Sequence, residues 1–400
     1  KHATYAVELA LLPTCASTEM FDFARDAAIL ERRARAETLK LGRPLVYSSL
    51  DRVYHTRVPD VQVRESKTRD VRKSRRCVRY LSGLGVGVQF GVHASSLNNL
   101  IRGITERVFY VRRDGGLKRP PRPVQGVFER LSGIRARLLH CIPSTPVVSR
   151  EDYPSLYTGR KRALYQKAVD SLEQVKLTVT DSFVNTFVKA EKVNLTAKVD
   201  PVPRVIQPRS ARFNVEVGRY LKLFEKSLAI GFKRIFGYPV IVKGLNAEQV
   251  GELLADHWSQ FVRPVGVGLD ASRFDQHVSV EALKWEHSVY NSYFRSDELR
   301  QLLRMQLRNR GISRIDGHRV DYTVHGCRMS GDINTGMGNC LIMSSIVIAY
   351  CEEVGLRYRL ANNGDDCVLI LDERDLHLLD DLDSWFLEFG FTLTREKPVF

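Results

Sequence analysis

Residues 358 to 371 read YRLANNGDDCVLIL, two apolar runs that read as strands around a polar tip, the pattern of a hairpin turn. Asn-Gly and Gly-Asp pairs make good hairpin turns because they tolerate positive φ, and "YRLA" and "CVLIL" supply the flanking strands. Turn chemistry accounts for the glycine and for one aspartate. It does not require Asp365 and Asp366 together, and adjacent like charges between apolar strands call for a compensating partner.

A Gly-Asp-Asp triplet alone arises by chance in roughly one chain of this length in fifteen, so other features must support it. A second acidic pair lies upstream in "PVGVGLDASRFDQH", residues 264 to 277, where a short apolar strand runs into Asp270 and Asp275 follows five positions on. A turn after Asp270 would bring Asp275 back to the carboxyl edge of a sheet, where ligands commonly sit. Carboxylates from two neighbouring strands can hold two divalent ions ~3.5 to 4 Å apart, the clamp used by in-line phosphoryl transfer, and an all-oxygen site suits Mg²⁺. Asp270 alone would more often be a helix cap.

Between the two acidic stretches lies "RMSGDINTGMGNCLIMSSIVIAYCEEVG", residues 328 to 355, Gly-rich at first and then an apolar helix too continuous for an exposed face. Thr335 and Asn339 are four apart and share a helical face. Gly331, Gly336 and Gly338 are expected to let a backbone or a sugar approach closely. The chain has no G-x-x-x-x-G-K-[ST] sequence, which disfavours a P-loop nucleotidase.

Charge points to the partner: 61 Lys+Arg against 46 Asp+Glu give a formal net charge of +15, which favours a polyanion. The seven cysteines (15, 77, 141, 327, 340, 351 and 367) are odd in number and never spaced C-x-x-C, which argues against a disulfide framework or a zinc site. No run reaches the ~18 apolar residues of a membrane helix. Residues 17 to 42 read as one helix. The basic run "RESKTRDVRKSRRCVRY", residues 64 to 80, is a solvated linker or an RNA-contacting arm. Residues 112 to 126 carry too much Pro and Gly for regular structure and are expected to be extended. "RALYQKAVDSLEQV" and "SFVNTFVKAEKV" read as helices, and the prolines of residues 197 to 214 exclude one.

The order D-x4-D, S-G-x3-T-x3-N, G-D-D resembles motifs A, B and C of viral RNA-dependent RNA polymerases. With "FGVHASSLNNLIRGITERVFYV", "FVKAEKVNLTAKVDPVPRVIQPRSARFNVEVGRYL" and "REKPVF", residues 80 to 400 resemble the replicases of the tombusvirus family of positive-strand RNA plant viruses, carmoviruses and umbraviruses included. The resemblance implies an α+β right-hand polymerase fold, with palm and fingers present and the thumb largely absent beyond "EKPVF". Residues 1–80 would be an auxiliary or linker region with the basic arm, 81–263 the fingers and N-terminal polymerase region, and 264–400 a palm with an inserted fingers segment.

By position, the resemblance makes Asp270 and Asp365 the main metal ligands with Asp366 accessory, for two Mg²⁺ ions that Mn²⁺ could replace. Asp275 and Asn339 would read the ribose 2′-hydroxyl, which both donates and accepts a hydrogen bond. Ser330, Gly331 and Thr335 would shape the loop that seats the template base and nucleotide. Lys189, Lys192, Arg204 and Arg209 would line the nucleotide channel, with Arg204 gripping the triphosphate. Lys397 would be the acid that protonates the leaving pyrophosphate. The implied partners are viral RNA template and product, ribonucleoside triphosphates, a viral auxiliary replicase protein and host factors, at membrane-associated complexes in the host cytoplasm. Two rivals stand beside this reading. The first is another two-metal palm enzyme, a reverse transcriptase or a nucleotidyl cyclase, of which Asp275 and Asn339 argue against the reverse transcriptase; the second, a non-catalytic RNA-binding replicase fragment, would bind RNA without synthesis.

Overall fold

The structure, a computed structural model, describes residues 58–66, 90–191, 193–194, 197 and 200–400. The helix expected over 17 to 42, the basic run from residue 67 onward and Lys192 fall outside the described residues. Helices and sheets are both present, an α+β chain. It divides into two compact units, one of Lys1–Val108, Thr186–Ile206 and Ile312–Tyr322, the other of Phe109–Asn185, Gln207–Gly311 and Thr323–Phe400.

The larger unit is built around a four-stranded sheet: β1 (Pro264–Ala271), β2 (Tyr358–Asn362), β3 (Asp366–Asp372) and β4 (Leu393–Arg395), in the spatial order β2-β3-β1-β4. Every pairing is antiparallel. Alternation sorts the faces of β1: Val265, Val267, Leu269 and Ala271 are buried, and Asp270 on the other face is exposed. On that second face a Cβ at Gly268 would collide with the Glu396 carboxylate, so the glycine makes room for an acid. Three long helices complete the core: α1 (Ala211–Phe236), α2 (Val280–Phe294) and α3 (Thr335–Glu353). Ser210 and Ser279 cap the first two through backbone N–H groups of Phe213 and Ala282, each at 3.0 Å. Helix α3 is buried on all sides from Met337 to Ile348, as its unbroken apolar run implies. Fully buried Phe224, Phe232, Leu341, Ile346, Leu369 and Phe386 join helices and sheet in one core. Each such side chain stabilises the fold by roughly 1.5–3 kcal/mol, so packing, not the acidic tip, holds the sheet together.

In the smaller unit, Val61–Glu65 pairs antiparallel with residues 318 to 322. Helix Leu97–Ile104 is capped by Ser96 and carries Arg102, whose buried guanidinium makes a two-pronged contact with Asp200 at 2.8 and 2.7 Å.

Two expectations are corrected. "SFVNTFVKAEKV" is not helical but holds the short strands Val184–Asn185 and Phe187–Val188, the latter paired with Val205–Ile206. Its β-branched valines favour strands, and pairing to a distant segment outweighs the helical spacing. Residues 112 to 126 are not wholly irregular: Val111–Arg113 and Gly116–Lys118 form a hairpin. Asp114 and Gly115 turn it at φ of 50° and 73°, the two consecutive left-handed residues of a tight hairpin turn. Residues 119 to 124 beyond it have no regular structure. Among the described residues, Cys141, Cys327, Cys340, Cys351 and Cys367 are all free thiols, and no helix is long and apolar enough to cross a membrane.

Candidate active site

The turn between β2 and β3 is tied by Asn362, not by the aspartates. Asn362 is fully buried; its Oδ1 accepts from the Gly364 N–H and its Nδ2 donates to the Gly364 carbonyl, both at 3.0 Å. Asn363 N–H donates to the Asp366 carbonyl at 2.9 Å, and Gly364 sits at φ 118°, a conformation only glycine adopts without strain. Asp365 and Asp366 are thus left to other work. The register sets Asp366 directly across from Asp270, and Thr394 of β4 across from Asp270 on the other side. Like charges directly opposed across strands destabilise a sheet. Partial burial pushes the Asp366 carboxyl above the usual range, and the charges of Asp365, Asp270 and Glu396 push it further, with Lys243 opposing.

After β1 the chain reverses at Arg273, φ 50°, into a one-turn helix, Phe274–His277, that carries Asp275. Asn339 Nδ2 donates to Asp275 Oδ1 at 2.8 Å, and Arg328 Nε donates to Asn339 Oδ1 at 3.2 Å. A guanidinium only donates, so Arg328 fixes which end of the Asn339 amide faces Asp275. Arg328 is fully buried and ion-paired with the equally buried Glu286, which also accepts from Tyr290 Oη at 2.7 Å and Asn334 Nδ2 at 2.9 Å. Burial alone would raise the Glu286 carboxyl, but the Arg328 guanidinium outweighs it and holds the group below its ordinary range.

The glycines expected to let a backbone or a sugar approach closely divide. A Cβ at Gly338 would strike Glu286 and Arg328, and one at Gly331 would strike the backbone of Pro208, so the chain itself occupies both spaces. Gly336 alone is open, its nearest neighbour being Lys243 Cε at 3.6 Å from an added Cβ. Ser330 Oγ accepts from Gln207 N–H at 3.2 Å and Thr335 Oγ1 donates to the Met329 carbonyl at 2.8 Å, which pins the loop before α3.

The basic residues separate. Arg209 lines no channel: its side chain is fully buried, ion-paired with Asp332 and donating to Asn309 Oδ1. A guanidinium so enclosed supports the loop that precedes α3. Lys189 and Arg204 belong to the smaller unit, where Lys189 N–H donates to the Arg204 carbonyl at 2.8 Å and both side chains meet Glu191, at 2.8 and 3.4 Å. Lys397 is exposed, on a tail held along β1 by Glu396 N–H to Gly268 O at 2.8 Å and Val399 N–H to Gly266 O at 2.9 Å. Lys243 and Glu396, both charged neighbours of Asp366, were not found by sequence reasoning. Gly268 was the one local signal for Glu396; Lys243 had none. Among the described residues no three His, Cys, Asp or Glu side chains are gathered as a ready metal cage. The donor set at the turn is carboxylate oxygen only, which fits a hard cation bound by one or two carboxylates and completed by water and phosphate.

Residues 63–400 match the family described as viral RNA dependent RNA polymerase. The RNA-directed RNA polymerase of turnip crinkle virus is 46% identical over 326 residues, 81% of this chain and 42% of the relative. That of pothos latent virus (isolate Pigeonpea/India) is 48% identical over 320 residues, 80% and 43% of the two chains, and that of red clover necrotic mosaic virus 42% identical over 367, 90% and 48%. The chain spans less than half the length of these relatives.

Proposed function

The chain belongs to the viral RNA-dependent RNA polymerase family, and from that premise we propose that it carries the catalytic centre of an enzyme that copies RNA by ribonucleotidyl transfer. The observation that carries the reading is the register that sets Asp366 opposite Asp270 at the tip of an antiparallel sheet, with the Asp275–Asn339 pair next along the chain from β1. In this reading residues 264–400 are the palm of a right-hand polymerase with an inserted fingers segment, and residues 81–263, with the basic segment around Lys189 and Arg204, are the fingers and N-terminal polymerase region.

Asp270 and Asp365, with Asp366 accessory, would hold the divalent cations, Mg²⁺ or Mn²⁺. When bound, these lower the pKa of the attacking 3′-hydroxyl and neutralise charge on the triphosphate. The fit follows from the donor chemistry and from the mutual repulsion of the acids, which a cation relieves. Asp275 accepts a hydrogen bond from the ribose 2′-hydroxyl, and the second Nδ2 hydrogen of Asn339 donates one to it. Ser330, Gly331 and Thr335 act by holding the loop that positions Asn339. Labelled ribonucleotide incorporation on a short RNA template, with Mg²⁺ and with chelator, tests the reading. RNA binding without cation-dependent synthesis would favour the non-catalytic alternative.

Two predictions follow from this chemistry. Asn339→Ala should lower ribonucleotide use ~10- to 100-fold while deoxyribonucleotide use falls much less, the cost of losing one hydrogen bond among charged groups. Competition between the two nucleotide classes reads it, and equal losses would reduce Asn339 to a support for α3. Lys397→Leu should slow single-turnover incorporation ~10²-fold with little change in nucleotide affinity, because a positioned acid is lost from the leaving pyrophosphate. Full activity with an unchanged solvent isotope effect in Lys397→Arg would leave the position only an electrostatic role.

A further inference from the structure

The turn that carries Asp365 and Asp366 has a cationic neighbour, Lys243. Residues Val240 to Val242 run beside β2 as an added edge: Asn362 N–H donates to Val240 O at 2.8 Å and Val242 N–H to Asn362 O at 2.9 Å. Val240, Ile241 and Val242 are buried, and the chain surfaces at Lys243 before turning at Gly244, φ 94°, where Leu245 N–H reaches back to Val242 O at 3.0 Å. The backbone under Lys243 is therefore fixed to Asn362, the residue that ties the acidic turn. Its side chain is exposed and lies between two glycines. Lys243 Nζ is 3.5 Å from where a Cβ on Gly364 would stand, and Cε is 3.6 Å from one on Gly336.

Lys243 enters no ion pair with Asp365, Asp366 or any other described residue, although its charge reaches the Asp366 carboxyl. A lysine held rigid in its backbone beside open glycine positions, and not neutralised by its neighbours, suits an anion from outside the chain. The sheet order says which one. Along β2-β3-β1-β4, Lys243 lies beyond β2, and Lys397 follows β4 at the opposite edge. In-line phosphoryl transfer puts the nucleophile and the leaving group on opposite sides of the reacting phosphorus. With pyrophosphate leaving toward Lys397, the attacking strand approaches from the β2 side.

We propose that Lys243 binds a phosphate of the strand whose 3′-hydroxyl attacks, either the phosphodiester joining its last two nucleotides or the 5′-triphosphate of a nucleotide that starts the chain. The proposal rests on the polymerase reading. An ammonium is a compact point charge without a preferred plane, which suits a phosphate that must advance after each addition.

Short-primer extension by the full chain tests it. In Lys243→Gln the KM for an RNA dinucleotide primer should rise ~10-fold, the loss of one charge-assisted contact, while the KM for the incoming nucleotide stays unchanged. Lys243→Arg should keep most of the primer affinity. A primer with an uncharged methylphosphonate linkage should remove the difference between wild type and Lys243→Gln if the phosphodiester is the ligand. If the 5′-triphosphate is the ligand, the difference should appear only when synthesis starts from a nucleoside triphosphate and vanish with the unphosphorylated nucleoside. Equal KM values for wild type and Lys243→Gln with every charged primer, or a rise confined to the incoming nucleotide, would overturn the proposal. A wild-type chain that incorporates nothing would instead overturn the polymerase reading beneath it. Thermal melting of each variant guards against a folding defect, and Lys243→Glu, with reversed charge at the same exposed site, should enlarge the primer effect.

Discussion

Asp270→Asn, and separately Asp365→Asn, is expected to lower ribonucleotide incorporation ~10⁴-fold, about 5.5 kcal/mol of transition-state stabilisation, with RNA affinity almost unchanged. The amide keeps the shape of the carboxylate and removes the charge a divalent cation needs. RNA affinity should survive because it comes from basic surface elsewhere in a chain of net charge +15. Stability should not fall either. The sheet is held by Val265, Val267, Leu269 and Leu369, all buried, and the acids at its tip repel one another: Asp365, Asp270 and Glu396 all push the Asp366 carboxyl upward. Removing one of these charges relieves that repulsion, so the melting temperature should hold or rise as activity disappears. This opposite movement separates a catalytic role from a structural one. Single-turnover incorporation, fluorescence anisotropy with labelled RNA and thermal melting read the three quantities. A near wild-type rate in either variant would sink the assignment.

What could be read from sequence was local. The β2–β3 hairpin, the strand into Asp270 and the buried helix after Thr335 all follow from side-chain periodicity within a dozen residues, together with turn chemistry at Gly364. The site residues came by position from a family resemblance, because spacing alone leaves an Asp pair indistinguishable from a cap or a turn. The errors and omissions share a different cause, which is pairing between distant segments. Arg209 meets Asp332 across 123 positions, and nothing near either residue signals that the guanidinium is enclosed. Gly338, expected to let a backbone or a sugar approach, clears space for the side chains of Glu286 and Arg328. Phe187–Val188 became a strand through its partner Val205–Ile206. Lys243 is placed by Asn362, 119 residues later by number, through two backbone hydrogen bonds that no local pattern encodes.

Arg328→Met is expected to destabilise the larger unit by about 3–5 kcal/mol, the usual cost of stranding one member of a buried ion pair. Arg328 and Glu286 are both without solvent exposure, and Glu286 accepts from Tyr290 and Asn334 as well, so in the variant a carboxylate remains in the core without its cation. Nearby His287 cannot replace that charge at neutral pH, since burial pushes it down to about 4. The pH dependence of the loss has a definite sign. In the wild type Glu286 is held below its ordinary range, so its contribution is present above the unfolded value of ~4.3 and is lost as pH falls. In Arg328→Met, burial is left to raise the same carboxyl. The folded state then binds a proton that the unfolded state gives up, and the variant weakens as pH rises through ~4.3 and on toward its own raised value. The deficit relative to wild type should therefore be largest near neutral pH and shrink below about pH 4. Urea unfolding at a series of pH values measures it, and a deficit under ~1 kcal/mol at pH 7 would show that the pair is dispensable. Replacing both partners, Glu286→Leu with Arg328→Met, should recover part of the stability because no buried charge is left alone. The double variant should still discriminate poorly between ribo- and deoxyribonucleotides, since Arg328 Nε no longer fixes the Asn339 amide against Asp275. Stability regained without selectivity would place Arg328 as a positioning residue, acting on the substrate sugar through Asn339.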